Sequence, residues 1–274
     1  MTAQGAWSTP EGAASWQASH AQRQQSLVAV TELLFEKVGL GPGMRVLEIG
    51  SGTGDLALLA AARVGPAGSV LATDASAAML EVAERLAREA GVANVSTRTV
   101  PAEDLDLPPG SFDAAISRSC LMFVSDLPRA LGAIRNALRP GAPFAASVWG
   151  PLERNPYHRA PIAAVRRRRA IPSPAPEVVR AFSMSDGEAV VAMLRGAGFR
   201  GVELRAVTAP RRFPSFEEAL KSGRQFPTFV SLLGLLPESE RDQAWEEIAR
   251  EWFPFATPAG LELPGEQIVI SGQA

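Results

Sequence analysis

Cys120 is the only cysteine in this chain, which excludes an internal disulfide framework and any cysteine-built zinc site and fits a reducing compartment. Histidine is nearly as scarce, with His20 and His158 alone, so a catalytic imidazole has two candidates. Neither sign of charge is in excess: 27 Lys and Arg stand against 29 Asp and Glu, a formal net charge of −2. No global field therefore draws nucleic acid or an anionic membrane. No apolar run approaches a membrane-spanning length, and the opening Met-Thr-Ala-Gln-Gly-Ala-Trp lacks a basic start followed by an apolar core. Internal repeats and low-complexity tracts are also missing. The expectation is a soluble, cytoplasmic protein of 274 residues, one large domain with additions, free of nucleic-acid and membrane partners.

What is present is an alternation of short apolar strands and helices. Residues 1–21 carry Trp7, Trp16 and His20 in a small, polar setting and read as a flexible arm or lid. Leu27, Val30, Leu34 and Val38 recur at helical spacing up to Gly39. Strands follow at Arg45 to Ile49, Ser69 to Thr73, Val95 to Val100, Phe112 to Ser117 and Pro143 to Trp149, with helices between them. Connections this short between strands and helices predict a parallel sheet covered on both faces. Two more strands, at Gly201 to Val207 and Gln267 to Ile270, bring the sheet to seven.

Two stretches break the alternation. Between residues 150 and 182 lie six prolines, Pro151, Pro156, Pro161, Pro172, Pro174 and Pro176, and the run Arg166 to Arg169; this reads as an insertion with a short helix near Ile162 to Arg169. Residues 214–264 open on a capping box at Ser215 and Glu218 and continue as helices near Phe229 to Leu236 and Ser239 to Trp252. Both are rich in aromatic residues and predict an apolar lid over a small-molecule site.

The site itself is expected at Arg-Val-Leu-Glu-Ile-Gly-Ser-Gly-Thr-Gly-Asp, residues 45–55. Here a buried strand breaks into a glycine turn that feeds a helix, so backbone N–H groups and the positive helix end meet a ligand at close range. A dinucleotide fingerprint needs its third glycine where Asp55 stands, and no Gly-Lys-Ser/Thr follows for a phosphate loop. The turn fits close approach of a ligand without a pyrophosphate.

Together with Asp74 at the end of strand two, Ala102-Glu103-Asp104 after strand three, Phe112 to Ser117, and Leu138-Arg139-Pro140-Gly141, this stretch resembles the class I S-adenosylmethionine-dependent methyltransferases. It is most similar to the ubiquinone/menaquinone C-methyltransferase-like small-molecule enzymes. The resemblance is dense from Leu40 to Trp149 and does not reach the insertions. It implies an α/β, Rossmann-like, seven-stranded mostly parallel sheet with helical lid insertions, residues 22–274 forming the methyltransferase domain. It also implies S-adenosyl-L-methionine as cofactor. Glu48 would hold the methionine ammonium, Gly50, Ser51 and Gly52 would lie against the methionine part and ribose, and Asp74 would take both ribose hydroxyls. Ala75 and Met79 would pack on the adenine, Ala102 and Glu103 would meet its edge, and Ser117 with Arg118 would face the ammonium.

The activity so implied is methyl transfer to a small molecule; the aromatic-rich insertions predict a hydrophobic or aromatic acceptor, methylated at oxygen or carbon, the sequence requires no metal, and a monomer or homodimer is expected. The alternative is a cofactor-binding protein of the same fold with a non-methylating or regulatory role. A nucleic-acid or protein acceptor is disfavoured, because Ser117-Arg118-Ser119-Cys120 replaces the Asn/Asp-Pro-Pro-aromatic signature of many amino-methylating enzymes. His158, with Tyr157 beside it just past strand five, is the expected base; His20 is the weaker one. Cys120 reads as a small buried filler. The arginine run reads as a solvated face or as partners of nearby carboxylates, its alternative being recognition of a substrate anion.

Overall fold

The computed structural model describes residues 9–172 and 177–274; Trp7, Pro174 and Pro176 lie outside the described residues. The chain begins with helices α1 (Pro10–Ala18) and α2 (His20–Lys37), followed by β1 (Arg45–Ile49), α3 (Asp55–Val64), β2 (Ser69–Asp74), α4 (Ala77–Glu89), β3 (Val95–Thr99), β4 (Ala114–Arg118), α5 (Leu127–Ala137) and β5 (Pro143–Trp149). Next come α6 (Pro156–Arg166), α7 (Glu177–Arg180), α8 (Gly187–Gly196), β6 (Arg200–Thr208), β7 (Arg211–Phe213), α9 (Phe216–Gln225), α10 (Pro227–Leu233) and α11 (Glu238–Trp252). Strands β8 (Ala256–Thr257), β9 (Gly260–Leu263) and β10 (Glu266–Gln273) close the order. Among the described residues no helix is long and apolar enough to cross a membrane.

Seven strands form one sheet, the number expected, in the order β3-β2-β1-β4-β5-β10-β6. Strands β1 to β5 pair in parallel, and β10 runs antiparallel between β5 and β6. Alternation along each strand sends neighbours to opposite faces. Val46, Val70, Ala114 and Val269 pack under α2 and α3 with Val30, Leu34 and Leu56. On the other face, Leu47, Ile49, Ala115 and Phe144 meet Leu131 and Ile134 of α5 and Leu194 of α8. The carboxyl ends of β1 to β4 therefore open on one crevice.

The two insertions share a third core of their own, in which Tyr157, Ile162, Phe229, Trp245, Ile248, Trp252 and Leu263 are buried together. They form one packed unit, expected to be a lid and so called the lid, rather than two loops. Helix α6 starts at Pro156, six residues before the expected Ile162, because Asn155 caps it: the His158 and Arg159 N–H groups donate to the Asn155 carbonyl at 3.0 and 2.9 Å. Proline suits the first helical position, and Pro161 inside the helix loses only one ladder bond. A second difference is the small sheet β7-β9-β8, whose strands are too short for sequence periodicity to reveal.

The lid is stapled by the arginine run. Arg167 and Arg168 each reach Glu247 of α11 at 2.7 Å, and Arg159 reaches Glu251 at 3.3 Å. Of the two readings of the run, the structure has the carboxylate partners. Hydrogen bonding from Arg168, with Arg167 adding to it, holds the Glu247 carboxyl down at about 2. A depressed carboxylate stabilises the fold above its unfolded value and loses that contribution as pH falls toward its folded value. Glu247→Gln is accordingly expected to lower unfolding free energy by about 1 kcal/mol at neutral pH. Urea titrations should show the difference from the wild type shrinking between about pH 4.5 and pH 2; a gap unchanged by acid would dissociate the staple from stability.

Candidate functional site

The glycine turn after β1 is shaped by what surrounds it. The N–H groups of Gly50 and Ser51 donate to the Thr73 carbonyl at 2.8 and 2.9 Å, tying the turn to the end of β2. Gly50 sits at φ 70°, and a side chain there would collide with Cys120. Gly54, at φ 84°, caps α3, and an added Cβ would stand 2.8 Å from that of Ala83. Cys120 is thus a packing partner of the loop. Burial first, and then the charges of Asp74 and Glu48, push its thiol far above the ordinary range, which leaves no thiolate for nucleophilic work.

Three carboxyl groups stand around the turn in different states. Asp74 accepts from the Gly52 N–H at 2.8 Å and from the Ser76 N–H at 2.9 Å, so one oxygen holds the loop and the other the start of α4. Each carboxylate oxygen can accept again. Glu48 is 1% exposed and its Oε2 has no hydrogen-bond partner; the Ser51 hydroxyl lies beside it, also without a formed bond. Burial pushes this carboxyl up to about 8, against the pull of the adjacent Ser51 hydroxyl and then of Arg118. An orphaned buried acid at a cavity wall calls for a cation to be brought to it. Asp55 is the opposite case: burial pushes it up, but Arg23 at 2.8 Å and His20 Nδ1 at 2.8 Å more than offset this and hold it below the usual carboxylate range.

That cluster explains the arm. Helix α1 is present where no regular element is expected, its cap being Thr9, whose hydroxyl accepts from Gly12 N–H at 3.1 Å, with Pro10 in the first turn. Thr-Pro-Glu is a legible start signal, obscured by the small and polar residues around it. Arg23 then donates to the Trp16 carbonyl and to Ser19 Oγ and lies 4.1 Å over the Trp16 ring. Trp16 Nε1 comes within 3.5 Å of where a Gly52 side chain would begin. His20 is spoken for by Asp55 and does not line the cavity.

One cavity runs from this loop to the lid. Of the cofactor residues expected from the sequence, Glu48, Gly50, Ser51, Gly52, Asp74, Ala75, Met79, Ala102, Glu103 and Arg118 all line it. Ser117 does not: it is fully buried, its hydroxyl donating to the Ile49 carbonyl at 2.9 Å. Arg118 donates to Thr31 Oγ1 at 2.7 Å, and its charge faces Asp55 and Glu48. At the junction of the two halves Ser119 has φ 58°, the only described non-glycine residue with positive φ; Gln267 Nε2 donates to its hydroxyl at 3.0 Å.

The lid half is lined by Trp149, His158, Arg180, Arg211, Phe226 and Thr228, among others. His158 packs 4.7 Å from Trp149 and edge-on to Phe229, and burial, aided by Arg211, drives its pKa well below the ordinary value. A neutral imidazole is a hydrogen-bond acceptor of low basicity. Tyr157, the other catalytic candidate, points away from the cavity: it is 2% exposed, stacked 4.9 Å on Trp252 and 5.7 Å from Phe213. The reason is helical geometry, since consecutive residues on a helix point about 100° apart. Arg211, Arg180, Thr228, Gln267, Trp16 and Arg23 were not singled out from the sequence as site residues, because no local spacing marks them.

Residues 46–141 match the family described as "Methyltransferase domain". A demethylmenaquinone methyltransferase of Symbiobacterium thermophilum is 38% identical over 104 residues, which cover 38% of this chain and 41% of that one. Nocamycin O-methyltransferase of Saccharothrix syringae is 29% identical over 198 residues, covering 66% and 70%. The matched part thus spans less than half of the quinone-methylating relative. Among solved structures, a SAM-dependent methyltransferase of Aquifex aeolicus has TM-score 0.54 at 22% identity, covering 73% of this chain and 92% of its own. The [4+2]-cyclase SpnF has TM-score 0.55 at 23% identity, covering 89% and 80%. At such identities the likeness is one of fold, and a fold does not choose a chemistry.

Proposed function

We propose that this chain, whose residues 46–141 form a class I S-adenosylmethionine-dependent methyltransferase domain, methylates a small apolar or aromatic molecule held under its lid. The observation that carries the reading is the orphaned Glu48 Oε2 in the wall of a cavity that also holds Asp74 and the glycine turn. S-adenosyl-L-methionine, when bound, supplies a methyl group on a positively charged sulfur. Glu48 accepts from its ammonium, the spare lone pairs of Asp74 accept from ribose hydroxyls, and Glu103 with Ala102 meets the adenine edge. Ala75 and Met79 give the apolar flank.

What remains for the lid half is positioning and exclusion of water, the terms on which a charge-dissipating transfer chiefly depends. His158 is held neutral and offers a hydrogen-bonding group beside the acceptor oxygen without taking its proton. Tyr157 serves the lid core. The relatives matched in sequence, a quinone-methylating enzyme and an O-methylating one, support methyl transfer over the non-methylating alternative.

The test uses the proton on Glu48. A carboxyl raised to about 8 is mostly protonated at neutral pH, and a cation beside it favours the ionised form, so binding releases a proton and tightens as pH rises. Affinity for S-adenosylhomocysteine is expected to increase by up to about tenfold per pH unit from about pH 6 to pH 8. Calorimetry in buffers of different ionisation enthalpy should report the released proton, and Glu48→Gln should abolish it. Binding heats that do not depend on the buffer would remove Glu48 from the cofactor site.

A further inference from the structure

Charge is segregated along the cavity. Its carboxyl groups, Glu48, Asp55, Asp74 and Glu103, all lie on the glycine-turn side, while among the described residues no Asp or Glu lines the lid side. The arginines of the turn side have their counter-charges: Arg23 pairs with Asp55, and Arg118 faces Asp55 and Glu48. Arg211 has none. It enters no ion pair among the described residues, and its guanidinium lies 4.4 Å from the centroid of the Tyr157 ring and 5.5 Å from that of Phe226.

An arginine remains protonated under burial, so burial leaves a fixed, uncompensated cation in an aromatic chamber. Stacking on aromatic faces offsets part of its desolvation and fixes the plane of the fork; the Tyr157 hydroxyl is a neutral partner for one part of it, and the remaining N–H groups are left to serve a ligand. Two more groups on the wall of the same cavity suit an anion. Thr228 Oγ1 is buried without a hydrogen-bond partner, and Arg180, which also lines the cavity, uses one nitrogen on the Phe123 carbonyl at 2.9 Å.

We infer that the lid half of the cavity binds a planar, apolar molecule bearing an anionic oxygen group, a carboxylate or an enolate, with Arg211 as its counter-ion and Phe226 and Trp149 as its walls. The inference rests on the methyl-transfer reading for what happens to that molecule afterwards, and on the cavity alone for its binding. It also accounts for the bases. An acceptor that arrives ionised needs no proton removed, which suits a site whose one histidine has lost its basicity and whose one tyrosine is turned into the lid core.

The probes are 2-naphthoate and 2-naphthamide, which share a shape and differ in charge. Each is titrated into the full chain with and without excess S-adenosylhomocysteine, whose own affinity is measured separately. The naphthoate is expected to bind at least about tenfold tighter than the amide, and Arg211→Met to cut that preference to under about twofold while leaving S-adenosylhomocysteine affinity within about twofold. Arg211→Lys keeps the charge without the planar fork and should weaken the naphthoate more than the amide, which decides the matter even where the methionine variant fails to fold. Equal affinities for the two probes, no binding of either, or a preference that survives Arg211→Met overturns the inference. So does a loss of S-adenosylhomocysteine binding in that variant, which would assign Arg211 to the cofactor's carboxylate. Failure of S-adenosylhomocysteine to bind the wild type is a different result, and strikes the methyl-transfer reading instead.

Discussion

Asp74→Ala should weaken S-adenosylmethionine binding by about 2–4 kcal/mol, roughly 30- to 1000-fold in Kd. Two losses add up to that figure. The carboxylate proposed to take both ribose hydroxyls disappears, and the Gly52 and Ser76 N–H groups it now accepts from, at 2.8 and 2.9 Å, lose their acceptor. The second loss loosens the turn whether or not ligand is present. Asp74→Asn separates them, because an amide oxygen can still hold one N–H while offering the ribose a weaker, neutral partner; its affinity should lie between those of the wild type and the alanine variant. Calorimetry that finds the alanine variant binding as tightly as the wild type would falsify the site assignment.

The largest stability effect is expected at Asp55→Asn. Asp55 and Arg23 are 6% and 9% exposed, and removing one charge of such a pair leaves the other buried and uncompensated, at a cost of about 3–5 kcal/mol. The positive end of α3, where Asp55 is the first residue, loses its anion as well. Adding Arg23→Met should restore much of the loss, since the stranded charge is then gone. Urea unfolding of the single and double variants measures this, and a double variant no more stable than Asp55→Asn alone would show that the cost lies elsewhere. Acid should act in the same direction as the single change: the Asp55 carboxylate is depressed, so its contribution is complete above the ordinary aspartate range and falls away below it.

The legibility of this protein from its sequence divides along a physical line. The sheet was readable because its signals are local: Val46 and Leu47 alternate between faces, glycines and prolines end each segment, and short connections between strands and helices mark a parallel sheet covered on both faces; the order of the strands was not read from them. The turn side of the cavity was readable for the same reason, as Glu48, the glycine turn, Asp74 and Glu103 each stand at or just past the end of a strand and line one cavity. Asp55 was noticed as the residue that spoils a dinucleotide fingerprint, but its role in anchoring the arm depends on Arg23 and His20, 32 and 35 positions earlier.

The lid was less legible. Arg211 follows Pro210 in a three-residue strand that no periodicity reveals, and it becomes interesting only when Tyr157 and Phe226 are seen beside it. The run Arg166 to Arg169 drew attention as a cluster, yet Arg167 and Arg168 are tied to Glu247 of α11, and Arg211, which lines the cavity without an ion-pair partner among the described residues, stands some forty positions on. His158 was the expected base with Tyr157 beside it, and the structure parts the two: adjacent positions at the start of α6 point in different directions, His158 to the cavity and Tyr157 into the lid core.

Strand β10 lies between β5 and β6, bonded to both along most of its length, although it is the last of the described strands in chain order. During synthesis β5 and β6 therefore leave the ribosome with nothing to separate them, each showing an open row of backbone donors and acceptors to the other and to neighbouring chains. The parallel half from β1 to β5 can assemble early. The lid, whose elements precede β10 in sequence, must collapse on its own core before the sheet beneath it is whole. Residues 266–273 thus join β5 to β6 only after both have been made, and until then the two strands expose edges open to mispairing.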